Sequence, residues 1–197
     1  MFVQVMQGKV KSAKDWERLF DSWNQKVRPG AKGFLGATTG VTSNNELFAV
    51  ARFESEAAAR ENSSLPAQTA WYEEASKSFD GPVTFRDCTE VDEMFGGGSD
   101  SAGFVQVIQG RAKDQKEMRR EAPAMESDLR RMRPDVIGGI FAWHGHGGEF
   151  TQIAYFTSEA DARKNESGMA DDPSFKRFSD LLDGPLTFFD LTNPKFA

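Results

Sequence analysis

The stretch ARFESEAAARENS (residues 51–63) returns 103 positions later as AYFTSEADARKNE (residues 154–166), with eight of thirteen positions identical. It reads as the end of a strand, a serine N-cap at Ser55, and a short helix that reaches Asn62. Two further blocks repeat with it. FVQVMQGKV at 2–10 recurs as FVQVIQGRA at 104–112 with six of nine positions identical. FDGPVTFRDCT at 79–89 recurs as LDGPLTFFDLT at 182–192 with seven of eleven. Self-similarity of this kind, in this order, is the mark of a duplication. The offset is 102 at the first block, 105 around Arg28-Pro29 and Arg133-Pro134, and 103 from the third block onward. That count places three extra residues in the second copy's first helix and removes two from the following hairpin.

Each copy reads as the same order of elements. Phe2 to Gln7 alternate as a strand does. Ser12-x-x-Asp15 then offers a capping-box-like helix start. Trp16, Leu19, Phe20, Trp23 and Val27 follow at helical spacing on one apolar face. Arg28-Pro29-Gly30 ends that helix. GFLGATTGV and ELFAVARF form a hairpin across Thr42-Ser43-Asn44-Asn45. A second helical region carries Trp71, Ala75 and Phe79 four residues apart, and Asp80-Gly81-Pro82 turns the chain into a last strand. The pattern β-α-β-β-α-β, twice, predicts an α+β chain of two ferredoxin-like repeats. Each repeat has a four-stranded antiparallel sheet with helices on one face. The boundaries are 1–91 and 104–197, joined by DEMFGGGSDSAG (92–103), whose Gly/Ser/Asp composition reads as a flexible linker. A sheet covered on one face needs a partner for the other, and duplication supplies it. Packing the uncovered faces would bury alternate residues such as Val3, Val5, Val105 and Val107, or their neighbours. Pattern alone leaves the parity open.

Composition sets outer limits. A net charge of −6 and a pI near 5.1 argue against nucleic acid and anionic membranes as partners, because both need a concentrated basic surface. A lone cysteine, Cys88, excludes an intrachain disulfide. The start MFVQVMQGKV alternates in polarity and does not read as a signal peptide, and no run approaches the length of a membrane span. The expectation is a soluble, cytoplasmic protein.

The tandem β-α-β-β-α-β order, the stretch FESEAAAREN and the closing DGPVTF resemble the dimeric α+β barrel superfamily, in particular the antibiotic-biosynthesis-monooxygenase-like domain. The resemblance covers residues 2–91 and 104–192. It implies a pseudo-dimeric barrel within one chain, further homodimerisation as an option, and a small aromatic or hydrophobic ligand. The superfamily's members include haem-degrading enzymes, isomerases, proteins with no known activity, and cofactor-free oxygenases, and likeness to the last implies no cofactor here. Those oxygenases use an Asn near the second helix, a Trp on it and an Arg on the last strand. The matching positions are Asn62, Trp71 and Arg86, with hydrogen bonds from Asn62 and Arg86 stabilising an enolate and Trp71 walling the ring. The second repeat keeps Asn165 but has Ser174 and Phe189 at the other two places, which makes the first repeat the competent one. Each residue also has a plain structural reading: Asn at a helix end, Trp71 in the core, Arg86 toward solvent. With those readings the protein is a non-catalytic binding or interaction module on the same scaffold, its sheet–helix space filled by Phe and Trp.

Other chemistry has less support. His144 and His146 sit at i and i+2 beside Glu149, a spacing that would let two imidazoles share one face of a strand and a carboxylate complete a metal site. Three glycines in the same stretch argue against the rigidity such a site needs. His144 is also the residue for a haem-binding variant. Arg119, Arg120, Arg130, Arg131 and Arg133 alternate with acidic residues, as on a solvated helix face. Pro123 in that stretch marks a kink or a new helical segment. Gln4, Gln7, Gln106 and Gln109 occupy equal places in both copies, which favours a structural role.

Overall fold

The computed structural model describes residues 1–166 and 173–197, leaving side chains undescribed at 173 and 174. Strand β1 (Phe2–Val10) carries two buried rows, and they settle the parity that sequence left open. Phe2, Met6 and Val10 pack with the helix residues Ala59, Trp16 and Ala75. Val3 and Val5 point to the opposite face and are fully buried, as are Val105 and Val107 in the second copy. From β1 the chain runs through α1 (Ala13–Lys26), a 3-10 turn (Arg28–Gly30), β2 (Phe34–Val41), β3 (Glu46–Phe53), α2 (Glu56–Ser63), α3 (Pro66–Ser76) and β4 (Phe79–Cys88). A short β5 (Val91–Met94) follows. The second copy is β6 (Phe104–Arg111), α4 (Gln115–Met132), β7 (Val136–Trp143), β8 (Glu149–Phe156), α5 (Glu159–Glu166), α6 (Pro173–Asp180) and β9 (Thr187–Leu191), and the chain closes with β10 (Lys195–Phe196).

Side chains start these helices as the sequence indicated. Ser12 Oγ accepts the Asp15 N–H at 3.2 Å and Ser55 Oγ accepts the Ala58 N–H at 3.2 Å. Asp114 and Ser158 do the same for α4 and α5. Each cap satisfies a donor the helix itself cannot.

Two units result, residues 1–89 with 193–197, and residues 90–192. Each holds an antiparallel sheet of five strands rather than the four expected, in the orders β10-β2-β3-β1-β4 and β5-β7-β8-β6-β9. The fifth strands are exchanged. Residues that trail the first copy complete the second unit's sheet, and residues that trail the second copy complete the first unit's. Met94 stands opposite Gly139, and Ala197 exchanges both backbone bonds with Ala37 at 2.9 and 3.0 Å. The 103-residue offset thus continues through 90–94 and 193–197, where no residue is identical.

Residues 92–103 are therefore not the free linker that their composition suggested. Their first part is strand, Phe95, Gly96 and Gly97 turn at φ of 54°, 89° and 90°, and the Gly97 carbonyl accepts the Gly139 N–H at 2.9 Å. The offsets also differ from the count made on sequence. β2 and β7 both bulge at their second residue and match at 102. The three residues gained in the helix are lost before β7, and the hairpin gains one. Asp80-Gly81-Pro82 lies inside β4, next to an irregularity in its pairing with β1, rather than forming a turn before it.

The helix–sheet cores fill the same space by different means. In the first unit Trp16 comes down from α1 over Val41, with its Nε1–H donated to Thr39 Oγ1 at 2.9 Å. In the second, the helix supplies Met118 and the strand supplies Trp143, whose Nε1–H goes to Asp92 Oδ2 at 2.8 Å. A fully buried indole is kept at this place in each core, Trp16 in one and Trp143 in the other, and the element that carries it changes. Volume-conserving exchange is what a close-packed interior tolerates best. Helix α4 passes through Pro123 as one element. Its Arg119, Arg120, Arg130 and Arg131 pair with carboxylates at the surface, whereas Arg133 is buried with Asp135. Among the described residues no helix is long and apolar enough to cross a membrane.

Candidate ligand site in the first repeat

Helix α2 is one short run fixed by the Ser55 cap at its start and by Pro66 just beyond its end. Asn62 lies within it, 7% exposed, and its Oδ1 has no hydrogen-bond partner among the described residues. The helix-end explanation for this asparagine fails, because it is not in the left-handed conformation; among the described residues Asn45 and Phe95 are the non-glycine residues that adopt it. An inward-facing amide with an unmet acceptor is a departure from the rule that buried polar groups are paired. Its counterpart Asn165 donates to Asp135 Oδ1 at 2.7 Å.

Trp71 is half-buried on α3, edge-on to Trp16 at 6.0 Å, with its Nε1–H donated to the Leu19 carbonyl at 2.8 Å. Its polar edge is therefore spent and its ring face is what remains. Phe20, Trp23 and Phe79 are buried in the same layer, and Trp23 donates to Gln68 Oε1 at 2.8 Å. Arg86 pairs across the sheet with Val5, so it projects from the face away from the helices, where its Nη1 donates to Gln7 Oε1 at 3.1 Å. The residue that faces the helices is Phe85, which is 45% exposed and meets Tyr72 edge-on at 5.8 Å. Asn62 and Trp71 thus share the helix layer, and Arg86 is not brought to them. In the second repeat Phe189 has the same outward parity as Arg86, pairing with Val107, and the side chain of Ser174 lies outside the described residues.

Sequence reasoning passed over Tyr72, Phe85 and Asp87. Asp87 accepts Gln4 Nε2 at 2.8 Å, and Asp190 accepts Gln106 Nε2 at 2.9 Å, so the repeated glutamines carry a repeated cross-strand bond. Period-two counting from Gln4 and Met6 would have placed Phe85 and Asp87, not Arg86, on the helix side. What hid it was the unknown pairing register.

The hairpin candidates disperse. His144 Nε2 lies 2.9 Å from Thr151 Oγ1, Glu149 pairs with Arg111 at 2.6 Å, and His146 points into solvent with Glu90 at 3.5 Å. Residues 145–148 form a turn, so the alternation that would have aligned the imidazoles does not apply. No group of three metal-ligating side chains occurs among the described residues. A surface cleft of about 380 Å³ lies beside Lys11, Asp15, Arg18, Glu74 and Lys77. Its charges are already matched: Arg18 pairs with Asp15, Lys77 with Glu74, and Lys11 Nζ caps the α3 end at the Lys77 carbonyl, 2.9 Å away. Lys113 repeats that cap at Asp180, so it belongs to the scaffold.

No family model and no curated protein matches this sequence. Solved structures do. A candidate monooxygenase from Lactobacillus acidophilus superposes with a TM-score of 0.72 at 10% identity, covering 100% of this chain and 98% of its own. One from Fusobacterium nucleatum gives 0.71 at 10% identity, covering 96% and 90%. An anthrone oxidase-like protein gives 0.65 at 8% identity, covering 100% and 93%. At such identities the likeness speaks for the fold. The chain shares with these structures, over nearly its whole length, an α+β fold of two ferredoxin-like repeats in tandem.

Proposed function

We propose that this is a monooxygenase-like protein that takes up a small aromatic compound in its first repeat and needs no resident cofactor. The observation that carries the reading is Asn62, a buried amide with an unspent acceptor in a helix layer of aliphatic and aromatic side chains. Sites for flat ligands are mostly apolar with a few placed polar groups. The carboxamide can present either its oxygen or its N–H₂. Donating to a phenolate or enolate oxygen, it favours the anion that reacts with O₂. Oxidation of an anthrone methylene balances without a reductant: one oxygen atom becomes the new carbonyl and the other leaves as water with the two methylene hydrogens. Trp71 contributes its ring as a wall, and Arg86, on the other face of the sheet, stands outside this site.

The test is oxygen uptake with anthrone in an electrode cell. Asn62→Ala should lower the rate about 100-fold, the usual loss for one such donor, with the circular dichroism spectrum unchanged. An unchanged rate would remove Asn62 from the chemistry. A second reading, uptake without turnover, is favoured by how tightly Trp16, Phe20 and Trp23 fill the helix layer. It predicts that anthrone quenches tryptophan fluorescence while no oxygen is consumed.

A further inference from the structure

Two asparagines stand at the same step of the same helix in the two copies, and their chemical situations are opposite. Asn165 is bound to Asp135 Oδ1, while Oδ2 of that carboxylate takes the Arg133 Nη2–H at 2.8 Å. Arg133 and Asp135 are 5% and 4% exposed, and Arg133 also lies over the Phe156 ring at 5.3 Å and donates to the Ala162 carbonyl at 3.4 Å. A desolvated ion pair holds together only when its remaining hydrogen-bonding sites are filled, and it is costly to break from one side. Asn165 fills one of them.

The first copy has no such set. Backbone pairing shows which residue takes the place of Asp135: the Gly33 carbonyl accepts Glu54 N–H at 2.8 Å, as the Asp135 carbonyl accepts Thr157 N–H at 2.9 Å. Gly33 has φ of 65°, and a side chain there would meet Ala58 Cβ at 2.8 Å. No carboxylate can be offered to Asn62 from that position. We infer that Asn165 has become a structural fastener of the second copy, and that the chain holds a single ligand site, in the first copy, where the glycine at position 33 brings no carboxylate to take up the Asn62 amide. The single site presupposes the ligand reading proposed above, whereas the fastener does not.

Three chains decide it: the parent, Asn62→Ala and Asn165→Ala. Each is measured by equilibrium dialysis against anthrone under nitrogen and by thermal unfolding. The parent should bind one anthrone per chain. Asn165→Ala should bind equally well but unfold about 5 °C lower, from the loss of a part-buried hydrogen bond to a carboxylate. Asn62→Ala should bind at least about 10-fold more weakly, with its unfolding midpoint held or raised. Two anthrones per parent chain, or weakening by Asn165→Ala, would overturn the single site. Absence of binding by the parent removes the ligand reading and the single site with it. Equal midpoints for the two variants would sink the fastener alone. Asn165→Ser, which can still donate to Asp135, serves if the alanine variant does not fold, and its midpoint should lie close to that of the parent.

Discussion

Cys88 shows how a single side chain can be decided by its surroundings. It is fully buried opposite Val3, and burial pushes its thiol from the ordinary value near 9 up to about 11. The sign follows from the protonated form being the one the interior accepts. Unfolded chains ionise this thiol as pH passes about 8.5, while folded chains keep the proton. Its contribution to stability is therefore complete below that pH and declines as pH rises toward 11. The difference in unfolding midpoint between the parent and Cys88→Ala should accordingly change between pH 8 and 10.5 and be flat between pH 6 and 8. A flat difference throughout would show that the folded thiol titrates normally. The residue type and the apolar counterpart Leu191 made its buried state legible in the sequence. The states of Asn62 and Asn165 were not legible, since two identical letters differ only in which carboxylate reaches them.

At the level of elements the repeat blocks exposed most of the fold, because capping serines, alternating strands and helical spacing are local signals. What escaped was pairing between distant segments: the fifth strands, and the outward register of Arg86. Glycine substitutions probe the first of these. A Cβ on Gly138 would lie 2.4 Å from the Gly97 carbonyl, in the turn that follows β5. Gly138→Ala should cost about 1–3 kcal/mol by forcing the two backbones apart. Gly147→Ala, in the hairpin tip, meets nothing within 4 Å and should stay within about 0.5 kcal/mol of the parent. Urea unfolding curves for the pair check both, and equal midpoints would mean that the β5 turn does not hold its place against β7.

The molecule as a whole is stitched by its exchanged strands. The chain leaves the first unit after Thr89 and returns to it at Asn193. A protease site inserted between Asp100 and Ser101, both exposed, would cut the covalent link between the copies, yet each fragment would still contribute a strand to the other's sheet. The nicked protein should elute as one species in native gel filtration and as two in denaturant. Two native peaks would show that β5 and β10 are dispensable. The same arrangement bears on how such a gene can change. Unequal recombination between the repeated blocks would leave one copy with one trailing strand, and that strand fits the β2 edge of a sheet like the one it left behind. The collapsed product would complete its sheet by lending its tail to a sister chain, so the shortened gene would encode an obligate pair.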